Sequence, residues 1–169
     1  MVPLTADEVI EILRLERHPV EGGYFIETYR CVDMLPQSVL PYNPGPRSLS
    51  TSIYYLLTPT AISALHQLQT DEVFHFYLGD PVEMLQLWPD GTTRRVILGH
   101  DLRAGHQPQH VVPGGVWQGS LLMPGGRFAL LGATMAPGFD YADYVSGKRA
   151  ELSQRYPGET ERIRELTVE

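Results

Sequence analysis

Near the N-terminus the apolar positions Val9, Ile10, Ile12 and Leu13 follow Thr5 and Glu8, which stand three apart as a capping box requires. This pattern predicts a helix over about residues 6–16, halted near His18-Pro19. The period then changes. Short apolar or alternating runs, divided by Gly and Pro, replace helical spacing along most of the remaining chain. Strands are expected at about 23–30 (GYFIETYR), 49–57 (LSTSIYYLL), 62–68 (ISALHQL), 72–78 (EVFHFYL) and 82–88 (VEMLQLW). Four more are expected at 93–98 (TRRVIL), 109–112 (QHVV), 116–122 (VWQGSLL) and 127–135 (RFALLGATM). The reversals between them carry turn chemistry, clearest at Pro89-Asp90-Gly91.

Two segments break the strand pattern. Residues 33–47 hold Pro36, Pro41, Pro44 and Pro46, so they cannot form a central strand, and a long ordered loop or lid is expected. The tail KRAELSQRYPGETERIREL returns to helix formers and is broken at Tyr156-Pro157. Many short strands between terminal helices mean an all-β barrel or sandwich with one or two short C-terminal helices, and 169 residues suit one domain over 1–169. A closed barrel has no free sheet edge and leaves a hollow for a small ligand.

Composition narrows the function. A formal charge of −7 opposes nucleic-acid binding, which needs clustered Lys and Arg. The N-terminal stretch MVPLTADEVIEIL shows no leader pattern, and no run is long and apolar enough for a membrane helix, so a cytoplasmic protein is expected. The single cysteine, Cys31, forms no disulfide within the chain and reads as an inert thiol.

The chemistry concentrates in SALHQLQTDEVFHFYLGD, where His66, Leu68, Glu72 and Gly79 give H-x-L-x3-E-x6-G, and in PGGVWQG, where Pro113, Gly115 and Gln118 give P-x-G-x2-Q. Strand alternation turns Glu72, Phe74 and Phe76 into the barrel and His75 and Tyr77 out of it. His66 and Glu72 are the candidate catalytic pair; the plain alternative for His66 is a satisfied core histidine. Gln118, Glu27, Arg30, Arg47, Tyr55 and Phe74 are candidate ligand contacts. Arg30 and Arg47 would clamp an anion with their planar forks or, more simply, form surface ion pairs. Trp117 reads equally as pocket wall or packing. His100, His106 and His110 read as loop residues, and Asp140 and Asp143 as part of a structural loop under the C-terminal helix.

These motifs resemble the cupin superfamily, whose two motifs run H-x-H-x(3,4)-E-x6-G and P-x-G-x2-H-x3-N. His66 and Glu72 match, whereas Leu68 and Gln118 stand where the second and third histidines fall, and Leu122 replaces the asparagine. Over about residues 5–155 the chain is similar to the small single-domain cupins of the Cupin_5 type, through HPVEGGYFIETYR, RSLSTSIYYLL, VVPGGVWQG and APGFDYADY. The resemblance implies a cupin-type jelly-roll β-barrel, with the site inside the barrel, and a homodimer. Ile53 and Tyr55, or the run around Ile97, are candidates for the dimer contact.

Segments GGYFIETYR and ALHQLQ are also similar to the dTDP-4-keto-6-deoxyhexose 3,5-epimerases, metal-free cupins in which the matching histidine is a general base and a tyrosine the acid. Gly23, Phe25, Glu27, Tyr29 and His66 carry that likeness; Glu72 and Gln118 depart from it. It implies His66 as base, with Tyr55, Tyr77, Tyr141 or Tyr144 as acid. Three functions follow: a metal-free isomerase or epimerase acting on a sugar, nucleotide sugar or anionic carbonyl compound, a metal-dependent dioxygenase or lyase holding a divalent ion with His66, Glu72 and Gln118, or a small-molecule binding module. With two imidazoles missing from the metal motif, no cofactor is the leading expectation.

Overall fold

The computed structural model describes residues 4–40 and 45–168. Helix α1 (Ala6–Leu13) carries the expected capping box, closed by Thr5 and Glu8. It ends with its last apolar position, Leu13, short of the expected residue 16, because Arg14 adopts a left-handed conformation at φ 55°. A two-residue strand, β1 (Glu16–Arg17), then opens the sheet region and pairs with β2 (Tyr24–Arg30).

The proline-rich segment contributes a small ribbon, β3 (Met34–Leu35) against β4 (Arg47–Ser48). Pro41 and Pro44 of the expected lid lie outside the described residues. After it come β5 (Thr51–Leu57), β6 (Ser63–Gln67), β7 (Glu72–Gly79), β8 (Val82–Leu87) and β9 (Thr93–Leu98). Strands β10 (Gln109–Val112), β11 (Trp117–Leu122) and β12 (Ala129–Met135) complete the long elements, each within two residues of its expected start. The chain closes with β13 (Val145–Ser146), α2 (Arg149–Arg155) and α3 (Thr160–Glu165), the two helices parted at Pro157.

Two antiparallel sheets face each other as a cupin-type jelly roll. One runs β1-β2-β5-β12-β7-β10 and the other β13-β6-β11-β8-β9. Between them lies a core that includes Leu57, Phe74, Phe76, Met84, Leu98, Val112, Leu122 and Leu131. Both outer faces are also covered. Helix α1 packs Val9 on Leu56 and Leu130, and α2 and α3, with the C-cap of α3, pack Leu152, Ile163 and Leu166 on Leu65, Leu85 and Leu87. This double covering explains why the inner strands read as near-continuous apolar runs. It also orients the chemistry: Leu65 faces the C-terminal helices, so His66 points into the barrel.

Candidate functional site

A cavity of about 240 Å³ opens between the sheets, and both His66 and Glu72 line it. His66 is 2% exposed on β6 and lies directly opposite Gln118 of β11 in the strand ladder. Its Nδ1 sits 2.8 Å from the Ala64 carbonyl oxygen. A carbonyl only accepts, so Nδ1 carries the proton and donates, and in the neutral ring Nε2 holds the lone pair. That nitrogen has no protein partner among the described residues. The Tyr144 ring stacks on the imidazole at 5.0 Å and 16°.

Glu72 enters from the opposite sheet and is buried at the start of β7. Gln118 donates its amide to Glu72 Oε2 at 2.6 Å, while Gln118 Oε1 is buried with no partner. Burial pushes the Glu72 carboxyl up to about 7; His66 and the Gln118 hydrogen bond oppose that rise and Glu21 adds to it. Gln118 thus works through Glu72 instead of lining the cavity itself. Imidazole and carboxylate share the cavity and the amide bonds the carboxylate, the arrangement that the cupin resemblance implies.

Other expected contacts fall elsewhere. Arg47 is not at the rim: it is 4% exposed and closed on Asp143 by two hydrogen bonds of 2.7 and 2.6 Å. Its guanidinium is spent on holding two loops together. Tyr55 is core, its hydroxyl donating to the Gly22 carbonyl at 2.7 Å, and so neither faces the ligand nor forms an outer dimer surface. Ile53 turns inward too and lines the cavity. Phe74 packs in the core and does not border the cavity. Tyr77 lies on the outer face, stacked on His75 at 6.2 Å. Among the four tyrosines, Tyr141 and Tyr144 line the cavity. Burial, then the charge of Glu21, raises the pKa of both phenols, so they keep their protons. His110 is a strand residue, its ring 2.7 Å from buried Gln86.

Glu27 and Arg30 both reach the rim because of a bulge. Glu27 pairs with Ile53 and Tyr29 with Ser52, which leaves Thr28 as the extra residue. The alternation resets there, turning Tyr29 outward and Arg30 to the cavity side. Arg30 then closes on Glu27 at 2.9 and 2.6 Å and donates to the Phe139 carbonyl at 3.2 Å.

Sequence reasoning missed His18 and Glu21. The turn joining β1 to β2 bends through Gly22 (φ 97°) and Gly23 (φ 67°), where a side chain would meet the Ile62 carbonyl or the Tyr55 ring. That bend brings Glu21 to the Ser63 hydroxyl, which donates to it, and within 3.9 Å of His66 Nδ1. His18 Nδ1 accepts the Glu21 backbone N–H at 2.9 Å, so its Nε2 carries the proton; burial lowers its pKa. The HPVEGG run was the available signal. The APGFDYADY loop is likewise more than a brace, since it gives Phe139, Asp140, Tyr141 and Tyr144 to the cavity wall. Its Asp143 alone fits the structural reading.

This architecture and these motif residues agree with comparison to known proteins. A family model described as Cupin_5, cupin superfamily (DUF985), matches residues 7–146. The chain belongs to the Cupin_5 family.

The uncharacterized protein YML079W of Saccharomyces cerevisiae is 32% identical to this Cupin_5 chain over 153 residues, covering 85% of this chain and 75% of that protein. A hypothetical protein from Leishmania major superposes with a TM-score of 0.88 at 31% identity, over 98% of this chain and 100% of its own. Protein SO0799 from Shewanella oneidensis gives 0.87 at 33%, over 98% and 99%. Oxalate decarboxylase from Bacillus subtilis, at 16% identity and a TM-score of 0.53 over 90% of this chain and 37% of its own, shares the fold. Among the described residues of this cupin, no three His, Cys, Asp or Glu side chains converge as a metal ion requires. His66 and Glu72 are two donors, Leu68 offers none, and the Gln118 amide is turned to Glu72. The residues do not fit a metal centre. No helix among the described residues is long and apolar enough to cross a membrane.

Proposed function

We propose that this Cupin_5 protein binds a small carbonyl compound in its barrel and moves a proton on it, as an isomerase or epimerase does, without a metal. The observation that carries this reading is the unpartnered Nε2 lone pair of His66 inside a cavity that also holds two protonated tyrosines. His66 Nε2 would accept the proton from the carbon next to the carbonyl. Tyr141 or Tyr144 would donate to the developing oxyanion. Glu21, beside Nδ1, would stabilise the imidazolium that forms, and Glu72 is a second acid or base with its pKa already near neutrality.

The cavity supports a substrate of monosaccharide scale, being smaller than the roughly 300–1,000 Å³ of pockets for drug-sized ligands. It favours a neutral sugar over an anion, since Arg47 is engaged with Asp143 and Arg30 with Glu27. We further propose that the protein acts as a cytoplasmic homodimer, with Ile97 on edge strand β9 as its contact; sedimentation of wild type and Ile97→Glu tests it. The function is tested by incubating the protein in D2O with a panel of aldoses, ketoses and keto-deoxy sugars and following C–H to C–D exchange by NMR. Exchange that His66→Ala abolishes, with the fold kept, is expected. Exchange unchanged in His66→Ala overturns the mechanism, and ligand binding with no exchange for any sugar leaves a binding module.

A further inference from the structure

The charges and rings lining the cavity are unevenly distributed. Glu21, Glu27, Glu72 and Asp140 are on its wall, and Arg30 is the one Arg or Lys among its lining residues. The fork of that arginine is already closed on Glu27. Among the described residues, no Arg or Lys closes an ion pair on the remaining three carboxylates: Glu21 takes the Ser63 hydroxyl and lies 3.9 Å from His66 Nδ1, Glu72 takes the Gln118 amide, and Asp140, in the field of Arg30 and Arg47, takes the Ala142 backbone N–H. Buried carboxylates without a counter-ion are costly unless protonated or matched by a ligand.

Beside them runs a continuous aromatic wall. Phe25 meets His18 at 4.7 Å, His18 meets Tyr141 at 6.1 Å, and Tyr141 meets Phe139 at 5.0 Å. The fifth ring, Tyr144, covers His66. His66, almost fully buried, presents the Nε2 lone pair, a further acceptor. Carboxylates, π-systems and a lone pair share one preference: each attracts a hydrogen-bonding cation and repels an anion.

We propose that the ligand carries an ammonium group, an amino sugar or similar small amine, held by Glu21 and Glu72 against the His18–Phe25–Tyr141–Phe139 wall. This inference rests on the small-molecule reading above and adds the charge of the ligand to it. The same arrangement couples binding to protons. Glu72 is faced by His66 from β6, Gln118 from β11, Glu21 from the turn before β2 and Tyr144 from the loop after β12. An ammonium arriving there favours the ionised carboxylate, so near pH 7 binding releases a proton.

The experiment is isothermal titration of the full chain at pH 7 with D-glucosamine, D-glucose, D-glucuronate and tetramethylammonium. It is run in two buffers of different ionisation enthalpy. Glucosamine is expected to bind about tenfold tighter than glucose, in the range of one charge-assisted contact. Tetramethylammonium is expected to compete with it, glucuronate to bind weakest, and the heat to report proton release. Glu21→Gln, which keeps the shape and an acceptor for Ser63, is expected to reduce the glucosamine preference to about threefold or less. Glu16→Gln, exposed on β1 and outside the cavity lining, is expected to keep it in full. Glucose binding as tightly as glucosamine, or glucuronate binding tightest, overturns the ammonium assignment and leaves proton transfer on a sugar standing. If none of the four binds, the assignment also falls, whereas the small-molecule reading falls only if the deuterium-exchange panel is silent too.

Discussion

The guanidinium of Arg47 grips the carboxylate of Asp143 through two hydrogen bonds in the protein interior, joining chain segments 96 residues apart. One end follows the proline-rich segment, and the other holds the loop that presents Tyr141 and Tyr144 to the cavity. Replacing Arg47 alone by Met removes the guanidinium from a buried carboxylate, and the expected cost is about 3–5 kcal/mol. The double variant Arg47→Met with Asp143→Leu is expected to recover most of that in urea denaturation. Equal losses in the single and double variants would show that the pair is not the source of the stability.

Glu72 makes stability depend on pH in an unusual direction. Its carboxyl rises from an ordinary 4.5 to about 7 in the folded protein. Between those values the folded state keeps a proton that the unfolded chain has released. This contribution is therefore full below about pH 4.5 and is lost as pH climbs through 7. The loss amounts to roughly 3 kcal/mol at most. Glu72→Gln, which can still accept from Gln118, is expected to remove this slope and to be the more stable protein at pH 8. Urea midpoints from pH 5 to 9 for the two proteins check it; parallel curves would sink the assignment.

Tyr55 and Tyr141 separate structure from function. Tyr55→Phe deletes the hydroxyl that holds the part-buried Gly22 carbonyl, and the expected cost is about 1 kcal/mol. Tyr141 is 49% exposed, so Tyr141→Phe is expected to stay within about 0.5 kcal/mol of wild type. Its effect should be on turnover in the deuterium-exchange assay. The reverse pattern would return Tyr55 to the list of acids.

Gly23 aims Glu21. At φ 67°, with the Tyr55 ring 2.8 Å from where a Cβ would stand, Gly23→Ala strains the turn and displaces the ring beneath it. A loss above about 1 kcal/mol is expected. Weaker glucosamine binding should accompany it, because Glu21 shifts with the turn. Titration alongside thermal melts distinguishes that outcome from a purely local strain.

The architecture was readable in advance because it rests on local patterning. Nine strands, the capped N-terminal helix and the broken C-terminal helix each carry their own apolar period or breaker, as with β10, recovered over Gln109–Val112 from the QHVV run. The inward turn of Glu72, Phe74 and Phe76 followed from alternation within one unbulged stretch of strand. The same rule failed between Glu27 and Arg30, where one extra residue reset the faces. Nothing in ETYR marks that bulge.

What the sequence determined by itself was the β-rich fold and its helical covers, since these follow from periodicity read along one strand or helix at a time; the nomination of His66 and Glu72 came from the likeness of their motif to that of the cupins. The tertiary structure decided which ionisable groups meet across the barrel. Arg47 reads as an anion clamp or a surface ion pair until Asp143 arrives from a distant loop, and Glu21 goes unmarked until two glycines fold it against His66. The reason is electrostatic. A side chain's role is set by the charges and the solvent around it, and those neighbours come from parts of the chain that no local pattern connects.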